Sequence, residues 1–164
     1  MFFASTTFTW IHTALSLIGI AAGIAAAFGL LRGQLLRGWT AAFLVATILT
    51  SVTGFLFPFG QFLPSHGVGA ISLVVLAAAV LALYVFHAEG GWRAVYVVSA
   101  MAALYFNVFV LVVQAFRKVP ALHALAPTES EPPFAIAQGI VLLLFVVLTF
   151  AALRAFRTRT AAAA

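Results

Sequence analysis

The sequence predicts an all-α integral membrane protein: a bundle of five transmembrane helices with its N-terminus outside and its C-terminus inside. Three observations predict it. Five apolar stretches, each close to the length of a bilayer crossing, occupy most of the 164 residues. Hydrophobic residues make up 65% of the chain, charged residues only 7%, and the mean hydropathy is +1.21. A soluble domain of this size could not bury so much apolar surface and would expose patches that aggregate. The third observation is the distribution of basic residues, taken up below.

The spans fall at approximately 8–31, 39–57, 66–87, 92–116 and 134–156. Each holds about 19 to 25 residues, against the roughly 20 needed to cross the hydrocarbon core. Backbone groups without internal partners cannot remain in lipid, so such segments are helices. The alternation of membrane β-strands is absent from the sequence.

Span one, Phe8 to Leu31, is entered through Ser5, Thr6, Thr7 and Thr9, with Trp10 near the interface, and stops at Arg32-Gly33-Gln34. Arg37-Gly38 completes a polar turn before span two, which ends at Phe-Pro-Phe-Gly, 57–60. Proline interrupts the hydrogen-bond ladder and glycine frees the backbone there. Span three follows Pro64-Ser65, with Ser65 as the expected N-cap. Ala88-Glu89-Gly90-Gly91 is the next turn, and span four closes on Arg117-Lys118. The connection from Val119 to Pro133 holds four of the six prolines and two of the three acidic residues, with one interfacial turn expected over 121–126. Span five opens with proline at a tolerated first-turn position and ends near Phe156.

Arg32, Arg37, Arg93, Arg154, Arg157 and Arg159 gather on one side of these crossings, and Arg117 and Lys118 on the other. The positive-inside rule makes the first side cytoplasmic. The loops around Gly60–Ser65 and Val119–Pro133 are then periplasmic or extracellular. The expected location is multi-pass in a membrane, the inner membrane if the source is bacterial. The N-terminal run lacks the basic n-region of a signal peptide, so the first span is expected to be retained. One domain covers residues 1–164.

Composition also excludes chemistry. There is no cysteine, which removes disulfides, thiolate zinc sites, cysteine-held iron–sulfur clusters and covalent c-type haem. The net charge of +5 does not imply nucleic acid, because the basic residues sit at helix ends without a basic, aromatic-interleaved stripe. P-loop, dinucleotide, GxSxG and HExxH fingerprints are absent, no nucleophile or acid–base pair is visible, and enzymatic activity is not expected. With an odd number of spans and no self-similarity, there is no inverted repeat of the transporter kind.

The informative residues are polar groups within the spans, which are costly to bury unpaired. In span one Ser5, Thr9, His12, Ser16, Gly19 and Gly23 recur at three- and four-residue spacing, on one helix face. Its lower half, Gly19-x-x-x-Gly23, permits close helix approach. Span four carries Tyr96, Ala100, Ala103, Asn107, Val110, Gln114 and Arg117 in a similar stripe, and Gln138 lies one turn inside the outer end of span five. For Asn107, Gln114 and Gln138 interhelical hydrogen bonding competes with ligand contact. The hydroxyls of span two, Thr47, Thr50, Ser51 and Thr53, are expected to bond back to the preceding turn.

His12 and His66 start spans one and three at similar depth near the outer face. The positive end of a helix dipole disfavours an imidazolium at His66, and a neutral imidazole is the ligand-competent form. The pair is read as axial haem ligands or half of a metal site, with haem b or a metal ion as the cofactor, against the alternative of two hydrogen-bonded interfacial histidines. Asn107, Gln114, Gln138 and Arg117 complete the expected cofactor-binding set, Arg117 as a partner for an anionic group such as a propionate. His123, Glu129 or Glu131 could extend a metal site from the outer loop. His87 lies 21 residues beyond His66, roughly 31 Å along a helix, and belongs to the other face.

The chain resembles the cytochrome b561-like membrane haem proteins in size and in using helix-borne histidines, with one same-depth pair and no second pair for another haem. Three functions follow: a module that binds haem, a metal or a quinone-like ligand near the outer leaflet; a ligand-free accessory or assembly subunit of a membrane complex; or a small oligomeric transporter using the span-four stripe. The partners expected are the lipid bilayer and a second copy or another membrane protein.

Overall fold

The computed structural model describes the backbone of residues 6–57 and 64–161, with side chains over 6–57 and 66–156. Six α-helices appear: α1 (Thr6–Leu31), α2 (Arg37–Gly54), α3 (Pro64–Val80), α4 (Trp92–Lys118), α5 (Pro120–Leu125) and α6 (Pro132–Ala161). The helix of α3 continues as a π-helical turn over Leu81–Val85. No strand occurs among the described residues.

Four segments are long and apolar enough to cross a membrane: Thr6–Leu31, His66–Val85, Trp92–Lys118 and Pro132–Phe156. The remaining long helix, α2, has 18 residues and carries Arg37 in its first turn. Its length is about 27 Å at 1.5 Å per residue.

The connections show how the sequence sets the ends. After α1, Gly33 adopts φ +67°, while Gln34 N–H donates to Gly29 O (2.8 Å) and Gly33 N–H to Leu30 O (2.9 Å). This is the paired-bond Schellman closure that needs a left-handed residue. Helix α2 then begins at Arg37, so Arg37 and Gly38 belong to its first turn rather than to the loop expected from sequence. Likewise α3 begins at Pro64, which places Ser65 inside the first turn instead of at the cap. Proline needs no N–H partner at that position. Most of the expected break at 57–60 lies outside the described residues. The expected interfacial turn is the short α5.

At the end of α3, Phe86 N–H reaches back five residues to Leu81 O (3.0 Å), and His87 and Ala88 adopt positive φ. The stack of Phe86 on Trp92, with ring centroids 3.8 Å apart, closes this tight hairpin into α4.

Successive long helices run in opposite directions, as the cross-helix contacts establish. His12 near the start of α1 bonds Thr53 near the end of α2, and Ser51 late in α2 donates to Ser72 midway along α3. Tyr96 donates to Thr40 near the starts of α4 and α2, and Gln138 early in α6 donates to Phe109 O late in α4. At the opposite end of the same pair, Arg93 lies over the Phe156 ring at 5.9 Å. Helices α1 to α4 form a ring of neighbours, and α6 packs on the outside against α4 and α1.

The core interleaves many small residues with larger ones such as Phe43, Leu76, Tyr96 and Met101. Ala22, Ala26, Ala27, Ala79, Ala82, Ala100, Ala103 and Ala152 are buried, whereas Val74, Leu143, Phe150 and Trp10 face outward. Lipid tails are as apolar as leucine, so helices in a bilayer associate largely through close van der Waals contact, which small residues permit. Gly19 and Gly23 serve this contact. A Cβ on Gly23 would stand 2.6 Å from Leu104 Cδ1 and 2.8 Å from Phe43 Cδ2, and one on Gly19 would stand 3.1 Å from Thr47 Oγ1.

Candidate functional site

Alternating helix direction collects the ends of α1 to α4 opposite the Arg37–Arg93 end, and a cleft of about 580 Å³ opens among them. That volume falls in the roughly 300–1,000 Å³ range of small-molecule sites. Along α4 the lining runs from Phe106 to Lys118, a depth of about 18 Å.

Each wall follows from spacing. Thr9, His12 and Ser16 of α1 repeat at three and four residues and share one face, as do His66, Gly69 and Ser72 of α3. Helix α2 contributes Thr50, Ser51 and Gly54 from its last turns, and α4 contributes Asn107, Gln114 and Lys118 with Val110 and Leu111 between them. Phe55, Phe57, Phe106 and Leu17 make the lining predominantly apolar, interrupted by imidazole, hydroxyl and amide groups.

His12 stands edge-on to Phe57, with ring centroids 5.1 Å apart, and its Nδ1 lies 2.8 Å from Thr53 Oγ1. His66 is 6% exposed and tilts against Phe55 at 5.8 Å between centroids. Gly69 permits this approach, since a Cβ there would meet the Phe55 ring at 3.1 Å. Asn107 donates from Nδ2 to Thr47 Oγ1 (3.0 Å) below the cleft. Thr50 Oγ1 is buried at the cleft wall with no hydrogen-bond partner, although buried hydroxyls are normally paired.

Of the six residues singled out from sequence, the cleft brings together His12, His66, Asn107 and Gln114. Gln138 and Arg117 do not line it. Gln138 faces α4, where its Nε2 donates to Phe109 O (3.2 Å) and its Oε1 is buried without a partner. Arg117 is turned outward, its side chain 62% exposed, and pairs with Glu129 at 3.3 Å. Lys118 takes its place at the cleft. The span-four stripe runs 107, 110, 114, and the next position on that face falls between 117 and 118, so spacing alone could not choose.

Thr53, Thr50 and Ser72 were not among those site candidates. Thr53 does bond back to the preceding turn, at Leu49 O (2.7 Å) and Thr50 O (3.1 Å), as expected of span two, but it also holds His12. Thr47 and Ser51 instead face α4 and α3. His123 and the outer-loop acids stay away from the cleft: His123 is exposed on α5, Glu129 pairs with Arg117, and Glu131 accepts from Thr128 Oγ1 (2.9 Å). Among the described residues no three His, Cys, Asp or Glu side chains gather as a metal-ligating group.

No protein family, curated protein or solved structure matches this chain. The candidate site therefore rests on its own geometry.

Proposed function

We propose that this chain is a membrane ligand-binding protein that holds a flat, lipid-soluble molecule of the haem or quinone class near the outer leaflet. The observation that carries this reading is the convergence of His12, His66, Asn107 and Gln114 on one largely apolar cleft of about 580 Å³. Apolar walls suit a ring system, and two imidazoles supply the groups that haem iron takes as ligands. Amide and hydroxyl groups supply partners for ring oxygens. Lys118, the one cation lining the cleft among the described residues, suits a propionate or another anionic substituent. A bare metal ion is less well supported, because its third ligand is missing among the described residues.

The proposal includes five crossings, with the cleft end outside. Helix α2 runs from the arginine-bearing end to the cleft, pairs with α4 at both levels, and at about 27 Å nearly matches the roughly 30 Å hydrocarbon core. Arg32, Arg37, Arg93, Arg154, Arg157 and Arg159 against Arg117 and Lys118 favour the first end as cytoplasmic. Trp39 and Trp92 near that end, and Trp10 near the other, suit the two interfacial belts.

Purification with native lipids tests the reading, followed by an optical spectrum, metal analysis and solvent extraction. A Soret band or a co-extracted quinone is expected. A featureless spectrum with only bulk phospholipid in the extract contradicts it.

A further inference from the structure

Thr53 fixes which nitrogen of His12 is available. Its hydroxyl has one proton and two backbone carbonyls within reach, Leu49 O at 2.7 Å and Thr50 O at 3.1 Å. Neither carbonyl can donate, so the Thr53 proton must lie towards them; otherwise oxygen lone pairs would face each other at 2.7 Å. Thr53 Oγ1 is then an acceptor towards His12, and the 2.8 Å contact requires the proton on Nδ1. A neutral imidazole has only one N–H, so Nε2 is left with its lone pair.

We infer that Thr53 holds His12 as its Nδ1–H tautomer, so that the cleft offers Nε2 as an electron-pair donor and takes a ligand with an electron-pair acceptor there. This rests on the ligand-binding reading above and narrows it. A porphyrin iron accepts that lone pair directly, and a hydroquinone hydroxyl accepts it through its proton. An oxidised quinone carbonyl presents lone pairs of its own and gains nothing at this atom. Thr53 is accordingly a positioning residue, the counterpart of the groups that fix the tautomer of metal-bound histidines elsewhere. Gly54, the next residue, lies beside the ring: a Cβ there would stand 3.7 Å from His12 Cε1, so alanine fits and bulkier residues press on the imidazole.

The test uses the full chain in detergent with isotope-labelled histidine, comparing wild type, Thr53→Val and Thr53→Ser. Nitrogen NMR should show His12 protonated at Nδ1 and bare at Nε2 in wild type and Thr53→Ser, and should lose that preference in Thr53→Val. Titration with ferric haem b and, separately, with a tail-less hydroquinone identifies the acceptor. Whichever binds should weaken about 10- to 100-fold in Thr53→Val and recover in Thr53→Ser. A wild-type His12 protonated at Nε2, or equal binding by Thr53→Val, overturns the inference. If the tautomer is as stated and neither probe binds, the ligand claim and the reading beneath it fall, while the Thr53 assignment stands on the nitrogen shifts alone.

Discussion

Asn107 of α4 donates to Thr47 of α2 across 3.0 Å, and Gly19 of α1 closes over the pair. A Cβ on Gly19 would lie 3.1 Å from Thr47 Oγ1 and 3.4 Å from Asn107 Nδ2, so three helices meet at this point because one of them lacks a side chain. Both polar residues are at most 7% exposed. The bond forms a polar tie immediately below the cleft.

That tie has a measurable coupling. Asn107→Ala and Thr47→Val should each lower thermal stability in detergent. In a double-mutant cycle the pair should show about 0.6 kcal/mol of interaction, with an upper range near about 1.7, the values typical of membrane hydrogen bonds. Strict additivity would mean that the two side chains do not depend on each other.

Gly23 and Gly139 stand at opposite extremes of packing. Gly23→Leu drives a side chain into Leu104 and Phe43 and should destabilise by about 1–3 kcal/mol or more, as overpacking does. A methyl group on Gly139 would have no neighbour within 4 Å, so Gly139→Ala should be neutral or stabilise by up to about 1 kcal/mol. Equal melting profiles for Gly23→Leu and wild type would place that face of α1 against lipid.

Arg117 and Lys118 are neighbours in sequence with different surroundings. Arg117 is exposed and paired with Glu129, so Arg117→Gln should change stability by less than about 1 kcal/mol and leave ligand binding unaltered. Lys118→Gln removes the cation that lines the cleft and should weaken an anionic ligand such as haem, more at low salt than at high salt. Equal effects from both substitutions would deny Lys118 its separate role.

Topology can be read with reporter fusions after Ala164 and within Val119–Pro133. Five crossings put the two reporters in opposite compartments, the C-terminal one in the cytoplasm. A shared compartment would remove a crossing between them and with it the placement of the cleft at the outer face.

Much of this was legible in the sequence because lipid imposes strong local constraints. The helical character of the five apolar segments followed from length and hydropathy alone, and His12, Ser16, Gly19 and Gly23 of the first do face the bundle. His12 and His66, placed near one end by counting residues along alternating helices, both line the cleft. Rotation about a helix axis was harder. One residue turns a side chain by about 100°, which is why Lys118 rather than Arg117 reaches the cleft. Gln138 belongs to a helix whose packing against α4 no spacing announced. The role of Thr53 was hidden for a different reason: a hydroxyl that satisfies its own helix can still accept a second bond, and only the fold reveals from whom.

The central claim is that the cleft holds a ligand through its histidines. It is tested most directly by purifying wild type, His12→Ala and His66→Ala from their native membrane and comparing optical spectra and solvent extracts at equal protein. The account predicts a haem or quinone-class compound with wild type, lost or sharply reduced in both variants, with all three proteins inserted to the same extent. A ligand retained equally by both variants, or absent from all three and not taken up on titration, would contradict it.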